Sequence, residues 1–327
     1  MKSIQIDVGG TWSRFRSGDH VKKLPTPSAL RFPHSSREEL LQRLIQLLVT
    51  YAPAGGEAHV SLGAAYDQEV DIAYGSAPLW GPGRWEVPFK RLLENEKPDV
   101  AWTVVNDVTA GLAHFAHLYA RPGDRYVTYL TVSSGIALRT VHMPTGRIEV
   151  SREGLQGEVG HLLAMCTAND AVRSLMCDCG GRGHIAAISS GPAIPRVADA
   201  LGIQSWDKYD SEQNSHEYEL TRNEELTRVI VEPIAHLVRF VKALQPHVDL
   251  IGIGGGVPAG IGRPYERELT QQLSVAQSYA DGGILAESRV VTLGNHEVFP
   301  EIGARFIAEN LFVVEKLGRS CGIIEQL

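Results

Sequence analysis

The chain has 327 residues, 43% hydrophobic and 21% charged, the values of an ordinary globular protein too long for a single hydrophobic core. Thirty-one Lys and Arg against 38 Asp and Glu give a net charge of −7 with no basic stripe, so no nucleic-acid partner is expected. No apolar run reaches the ~18 to 20 residues of a membrane span and no leader-like segment precedes the first strand, so a cytoplasmic location is expected.

Ser3 to Val8 reads as a strand, Gly9-Gly10 as a tight turn and Thr11 to Arg16 as the returning strand. This turn, Asp7-Val8-Gly9-Gly10-Thr11, lets backbone N–H groups approach phosphate oxygens, with the Thr11 hydroxyl as an added donor and Asp7 as a holder of Mg²⁺, directly or through water. Because it joins two strands, it is neither a Walker nor a Rossmann loop. Glu38 to Tyr51 has helical apolar spacing behind Ser35-Ser36, and His59 to Leu62 is another strand. A Gly/Pro/Trp-rich stretch covers Tyr74 to Pro88. Val100 to Val105 then reads as a buried strand ending at Asn106-Asp107, with Thr109 to Tyr119 helical. Asp107 is a candidate general base for an attacking alcohol, or simply a helix cap.

The arrangement then restarts. Tyr126 to Val132, the turn Ser133-Ser134-Gly135 and Ile136 to His142 repeat the strand, glycine turn and strand of the N-terminus, a second phosphate-turn candidate. Gly154 to His161 is glycine-rich, and the run Cys177-Asp178-Cys179-Gly180-Gly181-Arg182-Gly183-His184 supplies two thiolates and an imidazole. With His161 they form a candidate Cys₂His₂ zinc site. Two helices flank Gly191-Pro192, Asp207 to Glu219 is a polar loop, and Thr221 to Leu244 is a long amphipathic helix. Val248 to Ile253 is a buried strand ending in Gly254-Gly255-Gly256, where missing side chains leave room for a flat ring or ribose. Arg289 to Leu293 reads as a strand and Pro300 to Leu317 as a helix. Cys166 and Cys321 are expected to be ordinary thiols.

Taken together and in this order, these motifs resemble the ROK family of repressors, open reading frames and sugar kinases. The resemblance implies an α/β, two-domain actin-like (ribonuclease H-like) fold with an interdomain cleft, split into 1–107 plus 297–327 and 108–296 with the zinc loop. It implies ATP, Mg²⁺ and a structural Zn²⁺ held by His161, Cys177, Cys179 and His184, and a homodimer. Asp107 would be the catalytic base, and Asn106, Glu158 and His161 sugar contacts. Asp7, Gly9, Gly10, Thr11, Ser133, Ser134, Gly135 and Gly254 to Gly256 would hold the nucleotide.

The departures from the family pattern bear on specificity. His184 stands where a third zinc-loop cysteine is usual, Ser133-Ser134-Gly135-Ile136-Ala137 replaces a glycine-richer turn, Ala186 replaces a sugar-contacting Glu, and Pro78-Leu79 replaces Pro-Asn. The expected reaction is phosphorylation of the primary hydroxyl of a glucose-like hexose or amino-hexose. A C7 cyclitol is the alternative acceptor, with Asp67 and Asp71 as further candidates to read an amino group. A non-catalytic sugar sensor or a repressor is the alternative class, although a repressor needs a helix-turn-helix ahead of the first strand.

Overall fold

Ser3–Val8 is buried along nearly its whole length, and the fold places it at the centre of a five-stranded sheet. The protein is seen here in a computed structural model that describes residues 2–151, 154, 157–203, 223–245, 247–275, 289–294 and 298–317. The expected polar loop 207–219 and Cys321 lie outside the described residues. The chain divides into two units, Met1–Ala120 with Arg139–Gly157 and Phe299–Leu327, and Arg121–Leu138 with Glu158–Val298.

In the first unit β1 (Ser3–Val8), β2 (Trp12–Ser17) and β3 (His20–Pro25) form a meander, followed by α1 (Arg37–Tyr51) and β4 (Glu57–Leu62). Ser36 caps α1, its hydroxyl accepting from the Glu39 N–H. A small hairpin of β5 (Ala65–Asp67) and β6 (Ile72–Gly75), then α2 (Ala77–Trp80) and α3 (Phe89–Glu96), fill the stretch that the sequence marks only as Gly/Pro/Trp-rich. β7 (Ala101–Asn106) and α4 (Asp107–Tyr119) follow without a break. The sheet order is β3-β2-β1-β4-β7, with β1 antiparallel to β2 and parallel to β4, and β4 parallel to β7. Its core joins Ile4, Ile6, Val60 and Leu62 of the sheet to Leu40, Leu44 and Leu48 of α1.

The second unit opens with β8 (Tyr126–Val132) turning into β9 (Ile136–His142), at the residues expected from the sequence. β9 ends in the first unit, where it pairs antiparallel with β10 (Arg147–Val150). The zinc-loop region carries α5 (Asp170–Arg173), α6 (Ile185–Ser189) and α7 (Ile194–Ala200). Next come α8 (Glu224–Leu244), β11 (Leu250–Gly254), α9 (Gly256–Ile261), α10 (Arg263–Ser274) and β12 (Arg289–Thr292). β11 pairs parallel with both β8 and β12. The succession β12, β11, β8, β9, β10 thus repeats β7, β4, β1, β2, β3, which bears out the repeat read from the glycine turns. The buried face of α8, including Ile230, Ile234, Leu237 and Val238, packs with Leu130, Val132, Ile251 and Ile253 of the strands.

Two expectations are corrected. The segment expected as one helix from Pro300 to Leu317 is helical only in α11 (Pro300–Ala308), and Val313–Lys316 is strand β13, parallel to β10. Asn310 at φ 57 turns the chain out of the helix, a conformation Asn tolerates better than most residues. The first unit also extends past residue 107 to take in α4, because α4 packs on α11 with no room for a side chain between them. A methyl group on Gly303 would lie 1.7 Å from the Ala110 carbonyl oxygen. Beside this contact the Phe299 N–H donates to His114 Nδ1 at 3.0 Å, and burial pushes the His114 pKa down to about 4, so the ring is neutral at pH 7. Among the described residues no helix is long and apolar enough to cross a membrane.

Gly303→Ala should therefore overpack the α4–α11 contact at a cost of about 1 to 3 kcal/mol. Thermal denaturation checks this against Gly294→Ala, a site whose added methyl meets nothing within 4 Å. Equal melting temperatures for the two variants would refute the contact.

Candidate active site

The turn between β1 and β2 is held shut by its own backbone, the Gly9 N–H donating to the Trp12 carbonyl at 3.1 Å. Asp7, buried at the end of β1, accepts from Arg14 Nη1 at 2.9 Å and from Ser61 Oγ at 3.0 Å. Arg14 is the cross-strand partner of Asp7 in the β1–β2 register, so the pair follows from two-residue periodicity that the sequence already contained. Ser61 comes from the neighbouring parallel strand and carried no signal in the sequence.

Asp107 is the first residue of α4, and the capping role belongs to its neighbour. Asn106 Oδ1 accepts from the N–H groups of Val108 and Thr109 at 3.1 Å each, while Nδ2 donates to the Ala64 carbonyl at 2.9 Å and to Asp107 Oδ1 at 3.1 Å. Both amide hydrogens and the carbonyl oxygen are thus used inside the protein. Asn106 thereby holds Asp107 in place. Gly63, at the end of β4, shows where the carboxylate lies. A methyl group there would sit 2.8 Å from the Val8 carbonyl oxygen, 3.6 Å from Asp107 Oδ2 and 3.7 Å from the Gly9 α-carbon. The expected base and the expected phosphate turn therefore border the same small space, and Gly63 is a residue of this site that the sequence reading missed.

In the second unit three glycine motifs converge on the end of β8. Gly191 donates its N–H to the Ser133 carbonyl at 2.8 Å, and the Ser133 N–H donates to the Gly135 carbonyl at 2.9 Å. A methyl group on Gly254 would meet the Tyr129 hydroxyl at 2.7 Å, and one on Gly255, at φ 106, would meet the Val132 carbonyl at 2.5 Å. The packing of β11 on β8 thus requires glycine at both positions, and the positive φ of Gly255 is that of a turn from strand into helix. Gly256, 3.5 Å from Ser133 Oγ on the same measure, fits the expectation of room for a flat ring or ribose.

His161, Cys177, Cys179 and His184 bring one ligand atom each within 4.8 Å of one another. Cys177 Sγ lies 3.9 Å from His161 Nδ1 and Cys179 Sγ 3.3 Å from His184 Nδ1, separations close to the edges of a tetrahedron with Zn–S of about 2.3 Å and Zn–N of about 2.0 Å. The loop that presents them is a tight knuckle: the Cys177 N–H donates to the Gly181 carbonyl and the Gly180 N–H to the Cys177 carbonyl. The donor set and its spacing fit zinc. Cys166, outside this cluster, has its thiol pKa raised by burial, as an ordinary buried thiol does.

Glu158 is exposed and begins the short turn Val159–His161. Gly160 in that turn is buried against β9, where a methyl group would lie 2.5 Å from the Ile136 carbonyl. The other suggested acceptor contacts fare differently. Leu79 is fully buried in the first core, Asp67 Oδ2 is paired with Lys316 Nζ at 2.6 Å, and Asp71 accepts from Tyr66 and from the N–H groups of Lys90 and Arg91. These three side chains are spent on structure.

The chain matches the ROK family over residues 3–274. It is 38% identical over 289 residues to a 2-epi-5-epi-valiolone 7-kinase of an Actinoplanes species, covering 82% of this chain and 80% of that one. It is 29% identical over 203 residues to a C(7)-cyclitol 7-kinase of Streptomyces hygroscopicus subsp. jinggangensis, covering 58% of this chain and 55% of that one. A ROK family glucokinase from Streptomyces griseus, solved with glucose and AMPPNP, shares the fold with a TM-score of 0.67 at 18% identity, over 93% of this chain and 98% of that one. With the ordered motifs, the repeated strand succession and these likenesses in hand, the chain belongs to the ROK family.

Proposed function

We propose that the protein is an ATP- and Mg²⁺-dependent kinase that phosphorylates the exocyclic primary hydroxyl of a C7 cyclitol. The observation that carries the kinase reading is Asp107 fixed beside the Gly9–Thr11 turn, a base next to a phosphate cradle. The relatives support this acceptor: the 38% identical protein is named a 2-epi-5-epi-valiolone 7-kinase and a 29% identical one a C(7)-cyclitol 7-kinase, which moves the cyclitol ahead of the hexose. Ala186 agrees with this order, because a methyl in place of a carboxylate leaves a sugar hydroxyl at that place without a partner.

In this reading Asp107 orients the acceptor hydroxyl and takes its proton, while Asn106 keeps the carboxylate in one rotamer. The backbone N–H groups of Gly10 and Thr11 receive phosphate oxygens, the Gly9 N–H being spent on the Trp12 carbonyl. Asp7, fixed by Arg14 and Ser61, would hold Mg²⁺, directly or through water. ATP supplies the transferred phosphoryl group and Mg²⁺ offsets its charge. Zn²⁺ on His161, Cys177, Cys179 and His184 is structural, since four protein ligands leave no open position, and it anchors the turn that begins at Glu158.

The purified protein with Mg·ATP, offered 2-epi-5-epi-valiolone, glucose and an amino-glucose, tests both parts. The cyclitol should lead in kcat/KM by roughly 10-fold or more, the scale of one unmatched contact. Glucose as the best substrate refutes the acceptor and leaves the kinase standing, whereas no phosphorylated product from any of them refutes the kinase. Asp107→Asn should lower kcat by ~10²- to 10⁴-fold with nucleotide binding intact, and near wild-type turnover would reduce Asp107 to a structural residue. Elemental analysis should find one zinc per chain, lost in Cys177→Ser together with thermal stability. Metal-free protein of unchanged melting temperature would count against the site.

A further inference from the structure

Residues 26–32, between β3 and α1, tie the phosphate turn to α2. Toward the phosphate turn, Ser28 Oγ donates to the Gly10 carbonyl at 2.5 Å, and the Thr26 N–H and Arg31 Nε both donate to the Thr11 carbonyl, at 3.1 and 2.8 Å. Toward α2, the Ala29 N–H donates to the Leu79 carbonyl and the Leu30 N–H to the Pro78 carbonyl. Thr26 and Ser28 are fully buried, so this strap is built into the core.

Arg31 stands out within the strap. Its Nε is fixed by Thr11, and its guanidinium carbon lies 4.3 Å from the centre of the Trp12 ring, which also carries Lys23 Nζ at 4.1 Å. A hydrogen bond at Nε and a stacked face hold the group in one orientation. Among the described residues no carboxylate pairs with Arg31 and its two terminal nitrogens find no hydrogen-bond partner, Nε alone being bonded. A fixed guanidinium with its fork unused is the arrangement that receives an oxyanion in bidentate fashion. Two cations on one tryptophan beside the turn add attraction for negative charge.

We propose that Arg31 binds the terminal phosphoryl group of the nucleotide held on the Gly9–Thr11 turn, the group that is transferred. The proposal rests on the kinase reading above. The terminal phosphoryl group is favoured over the inner phosphates because Asp107 borders Gly9, and the acceptor oxygen activated by that base must meet the transferred phosphorus there.

The test is calorimetric titration of wild type, Arg31→Met and Arg31→Lys with Mg·AMP-PNP and, separately, Mg·ADP. A lost charge-assisted contact should weaken AMP-PNP binding to Arg31→Met by roughly 10- to 100-fold, with ADP affinity held within about 3-fold. Arg31→Lys, which keeps the charge and loses the fork, should fall between. Loss of both nucleotides in parallel, as expected if Arg31 only shapes the turn, overturns the proposal, and so does unchanged AMP-PNP affinity. If Arg31→Met fails to fold, the ratio of the two affinities in Arg31→Lys decides alone: a selective loss for AMP-PNP supports the contact and an unchanged ratio overturns it. Wild-type protein that binds neither nucleotide would instead refute the kinase reading, and this contact with it.

Discussion

The carboxamide of Asn106 is the constraint on which the corner between β7 and α4 depends. One side chain terminates β7, caps α4, ties the corner at Ala64 and holds the Asp107 carboxylate. Only an amide can do this, because the position needs an acceptor on one side and two donors on the other. An aspartate there could cap the helix equally well. It would leave the buried Ala64 carbonyl without its donor and set a second negative charge against Asp107. Each unmet buried group costs about 1 to 3 kcal/mol, more than the cap itself is worth.

The glycines divide by what excludes their side chains. At Gly63, Gly160 and Gly255 the obstacle is a neighbouring backbone carbonyl, so these positions are fixed by the approach of one main chain to another. At Gly135 an added methyl meets nothing within 4 Å, and at Gly256 it only touches Ser133 Oγ at ordinary distance. Those two leave open space next to the second turn, as a ligand-facing loop requires. The hairpin also tolerates Ser133 where the family pattern has a glycine, because its closure runs through the backbone, from the Ser133 N–H to the Gly135 carbonyl.

The strands of both glycine-turn hairpins, α1, β7 and α8 were legible because their apolar spacing and caps agree with their tertiary surroundings. The edge strand β3 was not, since five of its six residues are exposed and show no alternation. β13 was read as helix because Phe306, Ile307, Phe312 and Val313 continue a helical spacing, while the stop rests on the backbone of one asparagine. Pairing with β10, remote in sequence, decides the outcome there. For the site, residue identity and order revealed Asp7, Asp107 and the Cys/His set. Their neighbours, Ser61 bonded to Asp7, Gly63 beside Asp107 and Ser28 bonded to the Gly10 carbonyl, are of types common everywhere, and only the fold brings them alongside.

The histidine that stands at the last zinc-loop position shows how a changed ligand is accommodated. An imidazole is larger than a thiol and reaches further, so its backbone must stand back from the metal or its neighbours must give way. Here the neighbours give way: a methyl on Gly181 would lie 2.1 Å from His184 Cε1, so the ring occupies space that only a glycine leaves open. The backbone of His184 is meanwhile held by a bridge to Leu163, and the residue starts α6, which fixes the direction from which the ring enters. The exchange also alters charge. With two thiolates and two neutral imidazoles a bound Zn²⁺ is balanced, whereas three thiolates leave one negative charge over.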